Sequence, residues 1–207
     1  MGRRFAELAF TPLVKEQQKR HNSRQLYERV EQSHDPGDRL GPYEQEFIRE
    51  RDGFYMASVI ETGWPYIQYR GGPKGFLRIL DDRTLGFADL RGNKQYISVG
   101  NLQHDDRVAL FLMDYPGQSR LKILGRAKVQ EGDAEAEKLI ATLRVPEEKV
   151  PAERAVVIRI EAFDWNCPQH ITPRYTEEEL DAALEPMRQR LEALEAENKR
   201  LRKASSR

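Results

Sequence analysis

Short apolar runs of strand length dominate the middle of the chain, and turn residues separate them. Glycine and proline in the connecting segments, as in Glu61-Thr62-Gly63 and Tyr115-Pro116-Gly117-Gln118, favour tight antiparallel connections. Seven short strands with only brief helical interruptions predict a closed or nearly closed antiparallel barrel, a mainly β fold with flanking helices. The predicted strands span residues 54–60, 64–70, 76–80, 84–88, 107–114, 120–130 and 155–163.

Helical patterning precedes this β-rich middle. Thr11-Pro12 supplies an N-cap and a first-turn proline for a helix over residues 13–32, with Asn22-Ser23 as its candidate break. Gly41-Pro42 opens a shorter helix. We interpret residues 1–50 as an N-terminal helical arm that lies on the body of the protein or on a partner. The buried side of the shorter helix is expected to carry Tyr43, Phe47 and Ile48.

The C-terminal segment, residues 176–207, differs in character. Thr176-Glu177-Glu178-Glu179 forms a capping box, and Pro186 predicts a break or kink after it. Asn198 occupies an a position of an apolar heptad seam, where asparagine fixes register in parallel two-stranded coiled coils. We predict a coiled coil between chains, and packing of the leucines on the protein's own barrel is the alternative. The seam comprises Leu184, Met187, Leu191, Leu194, Asn198 and Leu201.

Composition excludes several classes of protein. Lys+Arg and Asp+Glu each number 34, so no global field favours nucleic acid or an anionic membrane. The N-terminus lacks the apolar run of a signal peptide, and no apolar segment approaches the ~20 residues that span a bilayer. We therefore expect a soluble cytoplasmic protein. Its single cysteine, Cys167, precludes an internal disulfide.

The segment between the fourth predicted strand and the next helix, expected around residues 95–102 and opened near Asn93, has the composition of an anion site. Its glycine-containing turn exposes backbone N–H groups, and a helix start carries unpaired donors with a partial positive charge. Arg91 and Lys94 add formal charge there, so the turn predicts a phosphate site. A capped surface helix with ordinary solvated cations is the alternative. A later helix is expected from its cap, Asp133, to about Leu143.

Other residues extend this candidate site. The strand 66–70 runs into the glycine-rich segment 71–75, where a ligand can approach the backbone closely, and Arg120 opens a later strand. Together these features suit a phosphorylated planar cofactor, although each alone is also consistent with a turn or a rim charge. Cys167 and His170 lie in a loop without a third catalytic group, so a nucleophilic cysteine is not favoured. The four histidines show no metal-ligand spacing.

Four segments carry a resemblance to a known family. They are Pro65-Tyr-Ile-Gln-Tyr-Arg-Gly-Gly72, Leu85-Gly-Phe-Ala-Asp-Leu-Arg-Gly-Asn-Lys94, Asp106-Arg-Val-Ala-Leu-Phe-Leu112 and Arg120-Leu-Lys-Ile-Leu-Gly-Arg-Ala127. With Phe163-Asp-Trp165 and residues 170–175, they resemble the FMN-binding split-barrel proteins related to pyridoxamine 5′-phosphate oxidase. The resemblance covers about residues 50–175, which we take as one domain, 51–175. It implies a six-stranded split barrel and a homodimer with FMN at the subunit interface.

The resemblance also assigns expected roles to individual residues. Residues 68–71 would line the flavin by backbone and side chain, and residues 87–88 would face its ribityl chain and ring. Asn93 and Lys94, with Arg91 nearby, would hold the phosphate. Trp165 and Arg174 would reach the flavin from the partner chain, and Arg120 stands where the family often has a glutamine. The expected cofactor-binding residues are Gln68, Tyr69, Arg70, Gly71, Phe87, Ala88, Arg91, Asn93, Lys94, Arg120, Trp165 and Arg174.

Departures from the family pattern shape the functional expectation. Gln68 stands where the oxidase has an arginine, and Ile171 and Pro173 replace the arginine and histidine that bind its pyridoxal substrate. The cofactor site is therefore expected to persist while the vitamin site is lost. We expect an FMN-dependent oxidoreductase acting on a small molecule other than pyridoxamine phosphate. The alternatives are a non-catalytic protein that binds or carries flavin, haem or F420, and a dimeric scaffold that binds no cofactor.

Overall fold

One antiparallel sheet forms the centre of the protein. The structure, a computed structural model, describes residues 1–165 and 169–205. Within them the strand order is β2-β1-β5-β6-β7-β4-β3, so β2 and β3 lie at opposite edges. The strands are β1 (Gly53–Val59), β2 (Pro65–Gly71), β3 (Arg78–Asp81), β4 (Thr84–Leu90), β5 (Arg107–Asp114), β6 (Ser119–Gln130) and β7 (Ala152–Trp165).

The number of strands agrees with one of two sequence-based expectations and contradicts the other. The described residues contain seven strands in one sheet, as the apolar runs predict, so the six-stranded count implied by the resemblance is wrong. The strand β3 is short but forms its own ladder with β4, with Arg78 opposite Gly86. A tight turn makes this pairing local, because Asp81 Oδ1 accepts a hydrogen bond from Arg83 N at 2.7 Å.

Inward-facing side chains of the sheet form a continuous hydrophobic core. Phe54 stacks on Phe76 and meets Phe87 edge to face, each with ring centroids 5.6 Å apart. Helix α4 (Pro42–Arg49) adds the buried Phe47 and Ile48 to this core, as predicted. Tyr43 is 64% exposed, so its predicted burial is wrong: its ring lies 4.9 Å from that of Trp165, centroid to centroid, and the rest of the side chain is largely open to solvent.

Three short helices precede α4. They are α1 (Arg3–Ala9), which sequence patterning missed, α2 (Pro12–Arg20) and α3 (Arg24–Glu31). The predicted break at Asn22-Ser23 is confirmed, since Asn22 has a φ of 57° between α2 and α3. Helix α1 packs on the protein's own β7 and buries Ala6 completely.

Two helices interrupt the strands, α5 (Ile97–His104) and α6 (Ala134–Leu143). The predicted cap of α6 is confirmed, because Asp133 Oδ1 accepts a hydrogen bond from Ala136 N at 2.7 Å. The predicted opening of α5 near Asn93 is wrong. Left-handed backbone at Lys94 (φ 60°) and Tyr96 (φ 53°) is incompatible with an α-helix, so the helix begins at Ile97.

The C-terminal helix α7 (Glu177–Ser205) extends from a confirmed capping box. Thr176 N donates to Glu179 Oε2 at 2.8 Å, and Glu179 N donates to Thr176 Oγ1 at 3.2 Å. The break predicted at Pro186 is wrong, since the helix continues through it. Proline removes one backbone hydrogen bond, and water can satisfy the freed carbonyl because this segment is exposed. None of the helices within the described ranges has the length and apolarity to traverse a bilayer.

Candidate functional site: a cationic cradle beside an edge strand

A cavity of about 170 Å³ lies where β2, β4, β7 and the start of α5 meet. Four of the predicted cofactor residues share it: Gln68, Arg70, Asn93 and Lys94. The turn between β4 and α5 forms one side, and we call this cavity and its walls the cradle. Its other lining residues are Tyr66, Asp89, Leu90, Gly92, Gln95, Tyr96, Ile97, Ser98, Val99, Glu153 and Arg154.

The backbone of the cradle turn is strained and rich in donors. Positive φ angles at Lys94 and Tyr96 are uncommon for residues other than glycine and concentrate at ligand-binding sites. Asn93 Oδ1 accepts a hydrogen bond from Gln95 N at 3.1 Å, which holds the turn. No side chain caps α5, so the N–H groups of its first turn lack an intrahelical partner, and Ile97, Ser98 and Val99 of that turn line the cradle. The arrangement presents donors and a helix dipole to the same small volume.

A buried carboxylate anchors two arginines of the cradle. Asp89 Oδ1 accepts from Arg70 Nη1 at 2.7 Å, and Asp89 Oδ2 accepts from Arg154 Nη1 at 2.9 Å. Asp89 and Arg154 are 5% and 7% exposed. Burial alone would lower the pKa of the Arg154 guanidinium, but hydrogen bonds to Glu131 and Asp89 raise that pKa above its ordinary value. The carboxylate of Asp89 therefore holds both guanidinium groups in position.

Acidic side chains neutralise only some of the positive charges at the cradle. Arg91 Nε donates to Glu153 Oε1 at 3.0 Å, and Arg91 and then Arg154 hold the pKa of the Glu153 carboxyl below its usual range. Lys94 differs from these arginines, because it makes no ion pair with any described residue. Its ammonium is the cradle cation that remains available to an anion from outside the chain.

Hydrogen bonds hold α5 against the neighbouring strands. Ser98 Oγ donates to Gln68 Oε1 at 2.8 Å, which joins α5 to β2. Asn101 Nδ2 donates to Ser58 Oγ at 2.9 Å between two buried residues, which joins α5 to β1. These bonds fix the position of the helix start relative to β1 and β2.

Three other predicted residues lie on the opposite, outer face of the sheet. The ring of Tyr69 packs against Tyr55 with centroids 5.4 Å apart. Arg120 lies 6.0 Å from the ring centroid of Phe111, and Arg174 lies 5.2 Å from that of Tyr115. The structure therefore places Tyr69, Arg120 and Arg174 along the outer surface of β1, β2, β5 and β6, away from the cradle.

The remaining predicted residues have separate environments. Phe87 is buried in the core, and its neighbour Ala88 borders a small apolar cavity with Leu143. Gly71 ends β2 on the outer face beside Tyr69. Trp165 Nε1 donates to Glu44 Oε1 at 2.9 Å, so this side chain is held by α4 of its own chain.

Asp89, Ser98 and Arg154 line the cradle but were missed by sequence reasoning. Asp89 and Arg154 face each other in the β4–β7 ladder, although 65 positions separate them in the chain. Local patterning started the last strand at residue 155 and left Arg154 in a loop, so only the strand register could reveal the pair. Cys167 lies outside the described residues, and His170 follows in a turn.

Comparison with known proteins decides the family. Residues 41–166 match the family model described as pyridoxamine 5′-phosphate oxidase. The chain belongs to this family. The match begins at Gly41, immediately before α4, and ends one residue after β7, so it contains the whole sheet and the cradle.

The chain is also similar to several solved structures. HupZ of Group A Streptococcus superposes with a TM-score of 0.50 at 17% identity, covering 66% of this chain and 99% of HupZ. A putative pyridoxamine 5′-phosphate oxidase of Lactobacillus delbrueckii gives a TM-score of 0.48 at 23% identity over 61% and 94% of the two chains. An FMN-binding protein of Syntrophomonas wolfei gives 0.46 at 13% identity over 59% and 86%. No curated protein matches the chain.

Proposed function

We propose that this member of the pyridoxamine 5′-phosphate oxidase family binds FMN and acts as an FMN-dependent oxidoreductase on a small molecule. The observation that carries the proposal is Lys94. This lysine has no acid partner among the described residues and lies in a strained turn beside the uncapped start of α5. An ammonium, a helix dipole and free N–H groups around one cavity suit a phosphate monoester.

The cradle fits the phosphate end of the cofactor better than its ring. Its volume of about 170 Å³ is below the roughly 300–1,000 Å³ of sites that enclose a drug-sized ligand. Its walls are polar, with Arg70, Asn93 and Lys94 among them. A phosphate and part of a ribityl chain would fit this volume, so the isoalloxazine ring would extend outside it.

A second copy of the chain would complete such a site. The outer face of β2 presents Ile67 and Tyr69 to solvent, at 64% and 56% exposure, and Trp64 precedes them at the edge. Exposed apolar side chains on this outer face, together with a cradle too small for the whole ligand, suit an interface between subunits. We therefore propose a homodimer in which the flavin ring lies between the cradle of one protomer and the outer face of the other.

The roles of the chain's own residues follow from this placement. Bound FMN would supply the redox chemistry of its flavin ring. Lys94 and the start of α5 bind the phosphate, the Gln68–Ser98 hydrogen bond positions the β2 wall, and the second copy excludes water from the ring. Gln68 is neutral and already bonded to Ser98, so it offers no charge to a substrate phosphate. This supports a substrate other than pyridoxamine phosphate.

A binding comparison tests the proposal directly. We expect FMN to bind the purified protein far more tightly than riboflavin, because the two ligands differ only in the phosphate that the cradle holds. Quenching of flavin fluorescence during titration measures both affinities. Equal affinities would contradict a phosphate-binding cradle.

Spectra and mass spectrometry of the protein as purified separate the remaining alternatives. Oxidised flavin bands that NADH or NADPH bleaches support an oxidoreductase, whereas flavin that neither reduces favours a carrier. A Soret band or a released mass of F420 would replace FMN with another cofactor. A colourless protein that binds none of these would overturn the proposal.

A further inference from the structure

The apolar stripe of α7 is uncovered in the single chain. Every side chain described from residue 177 to 204 is exposed, so α7 does not pack its leucines on the protein's own sheet. The seam leucines and methionine are between 41% and 68% exposed. They are Leu184, Met187, Leu191, Leu194 and Leu201, and Leu180, four residues before Leu184, extends the same stripe at 45% exposure. A stripe of this kind on an otherwise charged helix requires a partner to be stable in water.

We propose that α7 pairs with the α7 of a second copy of this chain as a parallel, in-register two-stranded coiled coil. The seam alternates at spacings of three and four along a helix that runs unbroken from Glu177 to Ser205. That repeat keeps the apolar positions facing an identical helix over the full length of the seam. An identical helix carries the same spacing of apolar residues, so we take a second copy of this chain as the partner of α7.

Charges that flank the seam favour this partner. In a parallel pair, Arg190 lies opposite Glu195 of the partner subunit, and Glu197 lies opposite Arg202 of the partner subunit. Because the two helices of the coiled coil are equivalent, each of these ion pairs would occur twice. Arg190, Glu195 and Glu197 make no ion pair with any described residue of their own chain, whereas the Arg188–Asp181 pair closes within the helix at 2.8 Å. The seam edge thus carries charges that a second copy can match.

Asn198 decides the orientation. An antiparallel pair that keeps the leucines in layers also brings opposite charges together, since Arg190 then lies near Glu197 of the partner subunit. Exposed ion pairs alone therefore do not distinguish a parallel from an antiparallel coiled coil. That alignment places Asn198 opposite Met187 of the partner subunit and leaves two amides buried without a partner. In the parallel alignment the two asparagines face each other and can hydrogen-bond. A buried unpaired amide costs more than exposed ion pairs contribute, so the parallel pair is favoured.

Disulfide trapping in the full-length chain tests orientation and pairing together. The background is Cys167→Ser, which removes the single native cysteine. Leu201→Cys places a thiol on the seam near the end of α7, and Ala196→Cys places one on the opposite side of the helix as the matched control. Both positions are exposed in the single chain, so neither substitution should affect the folding of the sheet.

The proposal predicts that diamide converts the Leu201→Cys chain to a covalent dimer at least ten times faster than the Ala196→Cys chain. In a parallel coil, position 201 faces its own copy. In the antiparallel alignment it faces position 184 instead, so a mixture of Leu184→Cys and Leu201→Cys chains would cross-link while Leu201→Cys alone would not. That outcome overturns the parallel arrangement. Cross-linking of every variant at the rate of Ala196→Cys overturns the pairing of α7 itself.

Discussion

Arg154 donates a hydrogen bond of 2.9 Å to Asp89, its cross-strand partner in the β4–β7 ladder, and Asp89 also accepts one of 2.7 Å from Arg70. Buried charge of this kind costs free energy when one partner is removed, because the remaining charge loses its compensation. The carboxylate of Asp89 therefore stabilises the fold and orients two cations at the cradle.

Asp89→Asn should lower the free energy of unfolding by about 3 kcal/mol, the low end of the range for a broken buried pair, because Arg154 keeps other acid partners. Asp82→Asn is the matched control. Asp82 also accepts from an arginine, Arg39, at 2.7 Å, but both side chains are exposed, so its removal should cost no more than about 1 kcal/mol. Urea denaturation of the two apo proteins measures the difference, and equal losses would show that burial does not matter here.

Lys94→Ala should weaken FMN binding by about 1.5–3 kcal/mol, roughly 10- to 150-fold in Kd, through loss of one charge-assisted hydrogen bond. Riboflavin affinity should change little. Lys138→Ala, at an exposed lysine of α6 away from the cradle, is the control and should leave both affinities unchanged. Unaltered FMN retention in the Lys94 variant would remove this residue from the site.

Ile67→Arg should dissociate the proposed homodimer, because it places a charge in the centre of the apolar outer face of β2. FMN affinity should fall together with the dimer, since the second copy covers the flavin ring. Leu13→Arg, at a 74% exposed leucine of α2, is the matched control. Light scattering coupled to size exclusion gives the mass, and a dimeric Ile67→Arg variant would place the interface elsewhere.

Truncation after Tyr175 removes α7 and tests how the two proposed contacts combine. We expect the sheet-mediated dimer to persist at micromolar concentration but to dissociate at a higher concentration than the full-length dimer does, because the truncated chain lacks the tethered second contact that α7 would contribute. Sedimentation velocity over a dilution series measures this. A folded monomer at micromolar concentration would contradict the interface on the sheet.

Substitution by alanine should change the stability of the fold in opposite directions at two glycines. A Cβ at Gly125 would lie 2.7 Å from the backbone oxygen of Arg159, at a register shift between β6 and β7, so Gly125→Ala should destabilise by about 1–3 kcal/mol. Gly100 lies inside α5 with open space around it, and Gly100→Ala should stabilise by roughly 0.5–1 kcal/mol. Thermal unfolding followed by circular dichroism compares both variants with the parent chain.

Local patterning predicts the strands well because each element buries alternate side chains over its own length. All seven predicted strands are present, and Asp133 caps α6 as its residue type predicts. Failures occur where distant contacts override local preference. Helix α1 was missed because its short sequence acquires stability from packing on β7, and α5 begins late because the cradle turn has left-handed backbone.

The candidate site was only partly predictable for the same reason. Composition identifies the cationic turn, since Arg91 and Lys94 lie together in the sequence, and the cradle indeed contains Lys94 with Gln68 and Arg70. Asp89 and Arg154 meet only through strand register, which one sequence does not reveal. The outer-face position of Arg120 and Arg174 likewise depends on how strands neighbour one another. Whether these two contact the flavin stays a prediction.

Successive side chains along the seven residues of β2 point to opposite faces of the sheet, so this strand contributes to two surfaces. Tyr66, Gln68 and Arg70 line the cradle, while Pro65, Ile67 and Tyr69 between them face outward. A slip of one position in the pairing with β1 would exchange the two sets completely. The short hairpin at Gly63 keeps that alignment, so an insertion there that shifts the register by one residue would remove both the β2 wall of the cradle and the proposed interface, with no change to any residue of either surface.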